Sequence, residues 1–346
     1  MNNITMASLF AGIGGFEEAA TGLGIDLACT VEIDRAARGV LRYHWPHATH
    51  LSDIKETSAD DILASGFDPE HGIVTGGWPC TDLSRGGARA GMAKQSGTRS
   101  ALFWELHRLV RDLRPAWLVA ENVPGALTSH AGRDWGAAVS ELADLGYGVA
   151  WRVLDAANFG VAQRRRRVIV VARRAGADGL PAAARAAGGV LDLFDGSSRH
   201  HRAGAASGRA AAGRPGPGPA LGAEQPGAGV DGAGGNAVLT FQKVRRAASA
   251  TDDEKWEQRE VAATLNTFDN GAVRAVEIIL QPGVPPRLLT PLEKERLQGF
   301  PDDHTLYRRD ERGVVHRQAD SARHRQLGNA VAVPVARWVL ARLMEA

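Results

Sequence analysis

The chain has 346 residues, 44% of them hydrophobic, and a net charge of +2, so it can build a large domain with a smaller one and is only mildly basic. No run of about 18 apolar residues predicts a membrane span, and "MNNITMASLF" lacks the pattern of a secretory signal. Two cysteines, Cys29 and Cys80, exclude a disulfide framework and favour a reducing, cytoplasmic setting.

The first half of the chain alternates between strand and helix patterns. Strands are predicted at "ITMASLF", "LACTVEI", "HGIVTGG", "PAWLVAENV", "GVAWRVLDA" and "RRVIVVAR". Helices are predicted at "GGFEEAATGLG", "DRAARGVLRYHW", "RSALFWELHRLVRDLR" and "GAAVSELADLGY". This alternation predicts an α/β domain over residues 1–175, with a mostly parallel sheet covered on both faces.

The composition changes after residue 175. Residues 176–238 are largely Gly, Ala, Pro, Arg and Ser, with too few large apolar groups to offset the entropy of ordering, so we predict a low-complexity, disordered insertion. Beyond it, "AATLNTFDNGAVRAVEIIL" predicts two strands around an Asp-Asn-Gly turn. "LTPLEKERLQGFP" predicts a helix that Thr290 caps and Gly299 ends, and "PVARWVLARLMEA" predicts a last helix.

A glycine-rich turn, "SLFAGIGGF", follows the first strand. Gly12, Gly14 and Gly15 allow the backbone to approach a ligand and expose N–H groups at a helix start. The dinucleotide fingerprint G-x-G-x-x-G fails because its sixth place is Glu17. A tight turn without a ligand is the alternative.

Two acids extend this pattern. Glu32 ends the second strand, where a doubly wound fold binds ribose hydroxyls. Asp53 is able to accept a hydrogen bond from an adenine amino group or, alternatively, to cap a helix over "IKETSADDILA". The turn and the two acids together favour an adenosine ligand without a pyrophosphate.

Cys80 stands in "GGWPCTDLS", at the carboxyl end of a predicted parallel strand, where open α/β sheets bind ligands. Pro79 stiffens the turn before it, and a long glycine-rich loop of the kind that closes over substrates comes after it. Glu121 ends the next strand, so the two side chains are able to face one cleft and exchange protons with a ring nitrogen there. The alternative to a catalytic Glu121 is that Glu121 and Asn122 only cap the turn that follows. Cys29, within a strand, is expected to be buried and inert.

Four arginines follow in "AQRRRRVIV". In a strand, Arg165 and Arg167 share one face, while Arg164 and Arg166 share the other. One pair is therefore able to line a cleft while the other meets solvent or phosphate. A solvated sheet edge is the alternative.

Taken in order, "SLFAGIGGF", "GGWPCTDLS", "ENV", "QRRRRV", "LTPLEKERLQGFPDD" and "QLGNAVAVP" closely resemble the motifs of DNA (cytosine-5-)methyltransferases. The resemblance covers residues 4–173 and 287–346. It implies a Rossmann-like S-adenosylmethionine-dependent methyltransferase fold, with a small target-recognition domain at 239–320. Residues 321–346 would return to the catalytic domain, where "GNAV" lies beside the first strand.

The resemblance also implies roles for individual residues. Cys80 would attack C6 of a cytosine flipped out of duplex DNA, Glu121 would hold N3, Arg167 would bind O2, and Arg165 would complete the catalytic set. The implied cofactor-binding residues are Phe10, Gly12, Gly14, Glu32, Ile33, Asp53, Ile54, Pro79, Leu102, Asn329 and Val331. The implied DNA-binding residues are Ser84, Arg85, Gln163, Lys243, Arg245, Arg246 and Arg274. No metal is implied, and a monomer with a separate restriction endonuclease is expected.

The sequence departs from the family at Ser8, where many relatives have Asp, and at "TDLS" after Cys80, where Gln and Phe are common. Neither departure touches the catalytic set. The alternatives are an RNA (tRNA) cytosine-5 methyltransferase, a catalytically silent DNA-binding relative, and a nicotinamide oxidoreductase, which the broken fingerprint opposes. The small recognition segment predicts a short or degenerate target.

Overall fold

The computed structural model describes residues 4–78, 102–193, 239–245, 255–259, 262, 264–265, 277–281 and 284–346. A seven-stranded sheet in the order β3-β2-β1-β4-β5-β7-β6 forms its centre. Its strands are β1 (Ile4–Leu9), β2 (Ile25–Val31), β3 (Thr49–Leu51), β4 (Ile73–Gly76), β5 (Trp117–Asn122), β6 (Tyr147–Asp155) and β7 (Arg166–Arg174).

The first five strands pair in parallel, and β7 runs antiparallel to both of its neighbours. A short connection without an α-helical crossover joins β6 to β7, which suits antiparallel rather than parallel neighbours. The predicted α/β fold with a mostly parallel sheet is confirmed.

Nine α-helices lie in the described residues: α1 (Gly15–Ala20), α2 (Arg35–His44), α3 (Ala59–Ala64), α4 (Phe103–Leu113), α5 (Arg133–Asp144), α6 (Gly179–Val190), α7 (Pro291–Gln298), α8 (Asp320–Asn329) and α9 (Val333–Met344). No single one of them has the length and hydropathy of a membrane span, and the bent pair α8–α9 reaches both only when its helices are taken together.

Two hydrophobic cores cover the two faces of the sheet. One contains Phe16 of α1, Val40 of α2 and Val339 of α9, and the other contains Ile62 of α3 and Leu106 of α4. Because both faces are covered by helices, the carboxyl ends of the parallel strands are the part of the sheet left open for a ligand.

Local signals explain where α2 and α7 begin and end. The Asp34 side chain caps α2 by accepting hydrogen bonds from the backbone N–H groups of Ala36 and Ala37. Thr290 and Glu293 form a capping box at the start of α7, and Gly299 ends that helix with a φ of 79°. These are the limits that the sequence predicts for α7.

A second, antiparallel sheet has the order β11-β10-β8-β9. Its strands are β8 (Leu239–Arg245), β9 (Lys255–Arg259), β10 (Glu277–Gln281) and β11 (Val284–Arg287). A small core of Ala262, Leu265, Ile279 and Leu289 joins this region to Leu297 of α7. The predicted Asp-Asn-Gly turn lies outside the described residues.

The boundary predicted at residue 175, between the catalytic domain and the insertion, is wrong, because one more helix follows it in the large domain. Helix α6 lies within the stretch assigned to the insertion, and it packs on β6 and β7 with Ala183, Ala187 and Val190 buried. Gly148 permits this close packing, because a Cβ there would meet the Ala184 backbone nitrogen at 2.1 Å. Alanine is the best helix former, so an alanine-rich stretch is able to fold where it has a surface to cover. Residues 194–238 lie outside the described residues.

The end of the predicted recognition domain also needs correction. Residues 307–317 form a hairpin of β12 (Tyr307–Arg309) and β13 (Val315–Arg317). This hairpin packs on α2 of the large domain rather than joining the four-stranded sheet. Gly39 of α2 makes the contact possible, since a Cβ there would lie 3.1 Å from Cβ of Arg308.

Candidate active site

A cleft of about 1300 Å³ opens at the carboxyl ends of β1, β2, β4 and β5. Most of the predicted site residues that the structure describes line it. They are Phe10, Gly12, Glu32, Ile33, Asp53, Ile54, Leu102, Glu121, Arg165, Arg167 and Asn329. The sequence brings them together because parallel strands end at a common edge.

The glycine-rich turn forms one wall of the cleft. Phe10 and Gly12 have positive φ angles of 54° and 58°, and the N–H of Gly14 donates to the Ala11 carbonyl at 3.0 Å. Gly14, predicted to bind the cofactor, packs away from the cleft: at its φ of 91°, a Cβ would lie 2.3 Å from the Trp45 ring. Its role is to shape the turn.

Glu32 braces this turn from the end of β2. Its carboxylate accepts hydrogen bonds from the N–H groups of Gly12 (2.8 Å) and Asp34 (2.7 Å). Burial raises the pKa of Glu32 above its ordinary value. The neighbouring Ile33 is 71% exposed, so an apolar surface stands beside the carboxylate.

Asp53 closes a turn at the far wall. Its side chain accepts from the N–H of Lys55 at 2.9 Å, and its carbonyl accepts from the N–H of Thr57. The helix that Asp53 was alternatively expected to cap begins only at Ala59, after the capping residue Ser58. Asp53 therefore stays at the cleft rather than at a helix terminus.

Glu121 and Arg167 form an ion pair in the cleft. The Arg167 Nε lies 2.8 Å from Glu121 Oε1, and the two side chains are 15% and 13% exposed. Among the described residues, no hydrogen-bond donor is well aligned with that Oε1. The chain that leaves β4 passes close by, since a Cβ on Gly77 would lie 3.2 Å from Glu121 Oε2.

Arg165 is almost fully buried and joins three segments. Its guanidinium donates to the carbonyls of Leu265 (3.3 Å), Gly328 (3.4 Å) and Ala330 (2.6 Å). Burial lowers its pKa to about 9. These contacts make Arg165 a residue that positions the cleft, while Arg164 and Arg166 are exposed on the opposite face, as the strand alternation predicts.

The expectation that Gln163 contacts DNA is wrong. Its side chain is fully buried, donates to the Leu297 carbonyl at 3.1 Å and accepts from the N–H of Leu265 at 3.5 Å. It links the recognition region to α7. Val331 packs on Gly15, since a Cβ added to Gly15 would lie 2.4 Å from Val331 Cγ1. Its expected contact with the cofactor stays a prediction.

His304 was not singled out from the sequence. Its fully buried ring lies with Nε2 2.7 Å from the Ile13 carbonyl in the glycine-rich turn, and it stacks on His44 at 4.1 Å. Burial lowers its pKa to about 3, so the ring is neutral and Nε2 is the donor. The signal in the sequence that could have found His304 is its place directly after the motif "GFPDD".

A buried acid beneath the same turn was also missed as a structural feature. Glu17 is 2% exposed, and within the described ranges neither of its carboxyl oxygens has a hydrogen-bond partner of good geometry. Burial raises its pKa to about 7, with the Ser8 hydroxyl opposing the shift. Cys29 is buried as expected, and burial raises its pKa to about 11.

Several predicted residues cannot be placed. Cys80, Pro79, Ser84, Arg85, Arg246 and Arg274 lie outside the described residues. Lys243 and Arg245 lie in β8, of which only the backbone is described. Their roles stay predictions.

Known proteins share this arrangement of motifs. The family of C-5 cytosine-specific DNA methylases matches residues 4–185 and 234–345. The type II methyltransferase M2.BsuMI of Bacillus subtilis is 35% identical over 174 residues, which cover 48% of this chain and 41% of that protein. A protein of Escherichia phage P1 named DNA N-6-adenine-methyltransferase is 28% identical over 481 residues, covering 100% of this chain and 62% of its own length.

A solved structure of a prophage-encoded DNA modification methyltransferase of E. coli matches with a TM-score of 0.60 and 20% identity, covering 99% of both chains. At that identity the match shows the fold alone. This chain spans about two fifths of the length of M2.BsuMI. The family match nevertheless covers most of the chain, which therefore belongs to the C-5 cytosine-specific DNA methylases.

Proposed function

We propose that this chain is a DNA (cytosine-5-)methyltransferase that acts on a cytosine flipped out of duplex DNA. The observation that carries the proposal is the Glu121–Arg167 pair in the cleft, with its atoms 2.8 Å apart. A carboxyl group and a guanidinium side by side complement the N3 and O2 atoms of cytosine, because the first is able to donate a proton and the second donates N–H bonds.

The cleft suits S-adenosylmethionine, which supplies an electrophilic methyl group when bound. Ile33, 71% exposed, offers an apolar surface for adenine. Glu32 already accepts two backbone N–H bonds, and a carboxylate retains further lone pairs for ribose hydroxyls. The turn at Gly12 leaves the backbone open, since a Cβ there would meet no atom within 4 Å.

Cys80 starts the chemistry. Its thiolate forms a bond to C6 of cytosine, and the displaced ring electrons move to N3, where Glu121 provides the proton. The ring becomes an enamine that is nucleophilic at C5, the atom to be methylated. Water then takes the C5 proton, the Cys80 thiolate leaves C6, and N3 returns its proton to Glu121, which restores the aromatic ring.

The arginines divide the remaining work. Arg167 holds the cytosine O2 while its ion pair keeps Glu121 turned into the cleft. Arg165 acts one step further away, because its three carbonyl contacts fix the recognition segment and the loop after α8 against the catalytic sheet. Ser84 and Arg85 hold DNA near the cleft, while Lys243, Arg245, Arg246 and Arg274 serve target recognition.

In this proposal the protein works on double-stranded DNA as a cytoplasmic monomer. Its role is protection of DNA in a restriction–modification system or of phage DNA, with an endonuclease that acts separately. The similarity to M2.BsuMI supports the first of these roles.

Expression in a host that lacks cytosine methylation, followed by sequencing of the host DNA, tests the reaction. We expect 5-methylcytosine in one short context, none with Cys80→Ser, and strongly reduced methylation with Glu121→Gln. N6-methyladenine instead would overturn the choice of base. Methylation confined to tRNA would shift the substrate to RNA, and cofactor binding without any methylation would indicate a silent DNA-binding relative.

A further inference from the structure

Helix α2 and the β12–β13 hairpin together form a strongly basic region, called here the arginine surface. Residues 35–44 and 307–317 contain seven arginines and two acids, Asp310 and Glu311. The whole chain has a net charge of only +2, so this surface concentrates positive charge that the rest of the protein balances. None of its seven arginines lines the cleft described above.

The two acids leave most of that charge unneutralised. The Glu311 carboxylate is shared, 3.9 Å from Arg38 and 3.6 Å from Arg42. Asp310 accepts from two backbone N–H groups of the hairpin turn and lies 2.9 Å from Nε2 of His316. The pKa of Arg42 is lowered by partial burial and then by the charge of Arg38, as expected where like charges crowd.

The outer face of the hairpin suits a polyanion. Cross-strand pairing places Tyr307 opposite Arg317 and Arg309 opposite Val315, so these four residues share one face of the ribbon. Arg308 lies on the other face, against α2. Tyr307, Arg312, Val315 and Arg317 are exposed, and Arg312 and Arg317 form no ion pair with another described residue.

Helix α8 connects the arginine surface to the cleft. It begins three residues after Arg317, and its exposed residues Ser321, Arg325 and Asn329 follow one another at a spacing of four along one side. Asn329 lines the cleft, and Arg325 lies 3.3 Å from Asp34 at its mouth. Ten helical residues span about 15 Å, which is roughly five base pairs.

We infer that the arginine surface is a second DNA-contact surface, which binds the phosphate backbone of the duplex flanking the methylated site. The inference rests on the proposed function, because it takes duplex DNA as the substrate. Charge complementarity identifies the ligand: closely spaced phosphates match exposed guanidinium groups, and counterion release makes such binding salt-dependent.

Duplex length separates this surface from the cleft. Fluorescence anisotropy with S-adenosylhomocysteine present compares two duplexes, with about 4 or about 14 base pairs on each side of the methylated context. We expect the longer duplex to bind about tenfold more tightly at low salt. The variant Arg312→Gln/Arg317→Gln should lose that gain, and its salt dependence on the longer duplex should fall by about two phosphate contacts.

The short duplex and a matched arginine serve as controls. Affinity for the short duplex, its methylation rate and the Tm should be unchanged in the double variant. Arg185→Gln should behave as wild type, because Arg185 is exposed on α6 at the opposite end of the sheet. A double variant that keeps the length gain overturns the inference. Equal affinity of the wild type for both duplexes also overturns the inference, and an acidic protein would then be the partner of the arginine surface. Binding to neither duplex refutes the proposed function itself.

Discussion

Glu295 of α7 and Glu121 at the end of β5 are two carboxylates in opposite settings. Glu295 is fully buried and accepts from the N–H groups of Asp303 and Thr305, the Thr305 hydroxyl and the Arg323 guanidinium. Glu121 keeps part of its surface in the cleft, and no donor in the described part of the chain is well aligned with Oε1, which lies beside Arg167.

The difference distinguishes a carboxylate that holds the fold from one available for chemistry. Four hydrogen bonds occupy the two carboxylate oxygens of Glu295 and leave little acceptor capacity for a ligand. Glu121 has acceptor capacity left, directed at the place where a substrate would lie. Removing the two acids should therefore damage different properties of the protein.

The largest effect is expected at Glu121. Glu121→Gln keeps the shape of the side chain but removes its exchangeable proton, so the single-turnover rate of methyl transfer should fall about 10²–10⁴-fold. The free energy of unfolding in urea should change by less than about 1 kcal/mol, since the pair with Arg167 is open to the cleft. If Glu121→Gln were destabilised but fully active, the contrast between Glu121 and Glu295 would be wrong.

Glu295→Ala should show the reverse pattern. It leaves the guanidinium of Arg323, whose side chain is only 6% exposed, without its most buried partner. The free energy of unfolding should fall by about 3–5 kcal/mol. Glu311→Ala, which removes a 56% exposed acid beside two arginines, is the matched control and should cost less than about 1 kcal/mol. Similar losses of unfolding free energy in both variants would show that the burial of Glu295 does not determine its contribution to stability.

Glu17 adds a third setting, in which a buried acid has no charged partner among the described residues and the Ser8 hydroxyl opposes the effect of burial. The folded protein keeps its proton up to about pH 7, whereas the unfolded chain releases it near 4.5. Between these two pH values the folded state therefore binds more protons than the unfolded chain. The contribution of Glu17 to the free energy of unfolding falls as the pH rises through that window.

Glu17→Gln should abolish this loss. The difference in unfolding free energy between variant and wild type should grow by on the order of 3 kcal/mol from pH 5 to pH 8. Denaturant unfolding at several pH values measures it. The comparison cancels the opposite effect of His304, which is neutral when folded and gains a proton on unfolding below about pH 6.5. A difference independent of pH would show that Glu17 is ionised in the fold.

Gly14→Ala gives the smallest expected change. A Cβ there meets the Trp45 ring at a positive φ, so the variant should lose about 1–3 kcal/mol and bind S-adenosylhomocysteine more weakly by calorimetry. Gly136→Ala in α5 is the control, because a Cβ there meets no atom within 4 Å and should stabilise the helix by about 0.5–1 kcal/mol. Equal changes in stability and in S-adenosylhomocysteine binding for the two variants would contradict the role given to Gly14 in the turn.

Features encoded in short stretches were predictable from the sequence. Glu32, Asp53 and Glu121 stand at or just beyond strand ends, and the rule that parallel strands share one open edge brings them together. The Thr290 cap and the Gly299 stop are equally local, since each depends on residues within one turn of the helix.

Features that depend on distant partners were not predictable. Gln163 looks like a surface residue beside four arginines, but its amide bonds to Leu297, 134 positions away, and to Leu265, 102 positions away. The contact of His304 with Ile13 joins residues 291 positions apart. Helix α6 was missed because its alanines carry no apolar period, and the surface that orders them comes from β6 and β7.

The contact between His304 and Ile13 has a consequence for synthesis. The turn that shapes the cofactor cleft emerges first, yet the residues that brace it, His304 and Val331, follow about 300 positions later. At 5–20 residues per second, a ribosome needs about 15–60 seconds to deliver them. Throughout that interval the turn on the nascent chain lacks these contacts, so the cleft reaches its final form only after residues 304 and 331 have been translated.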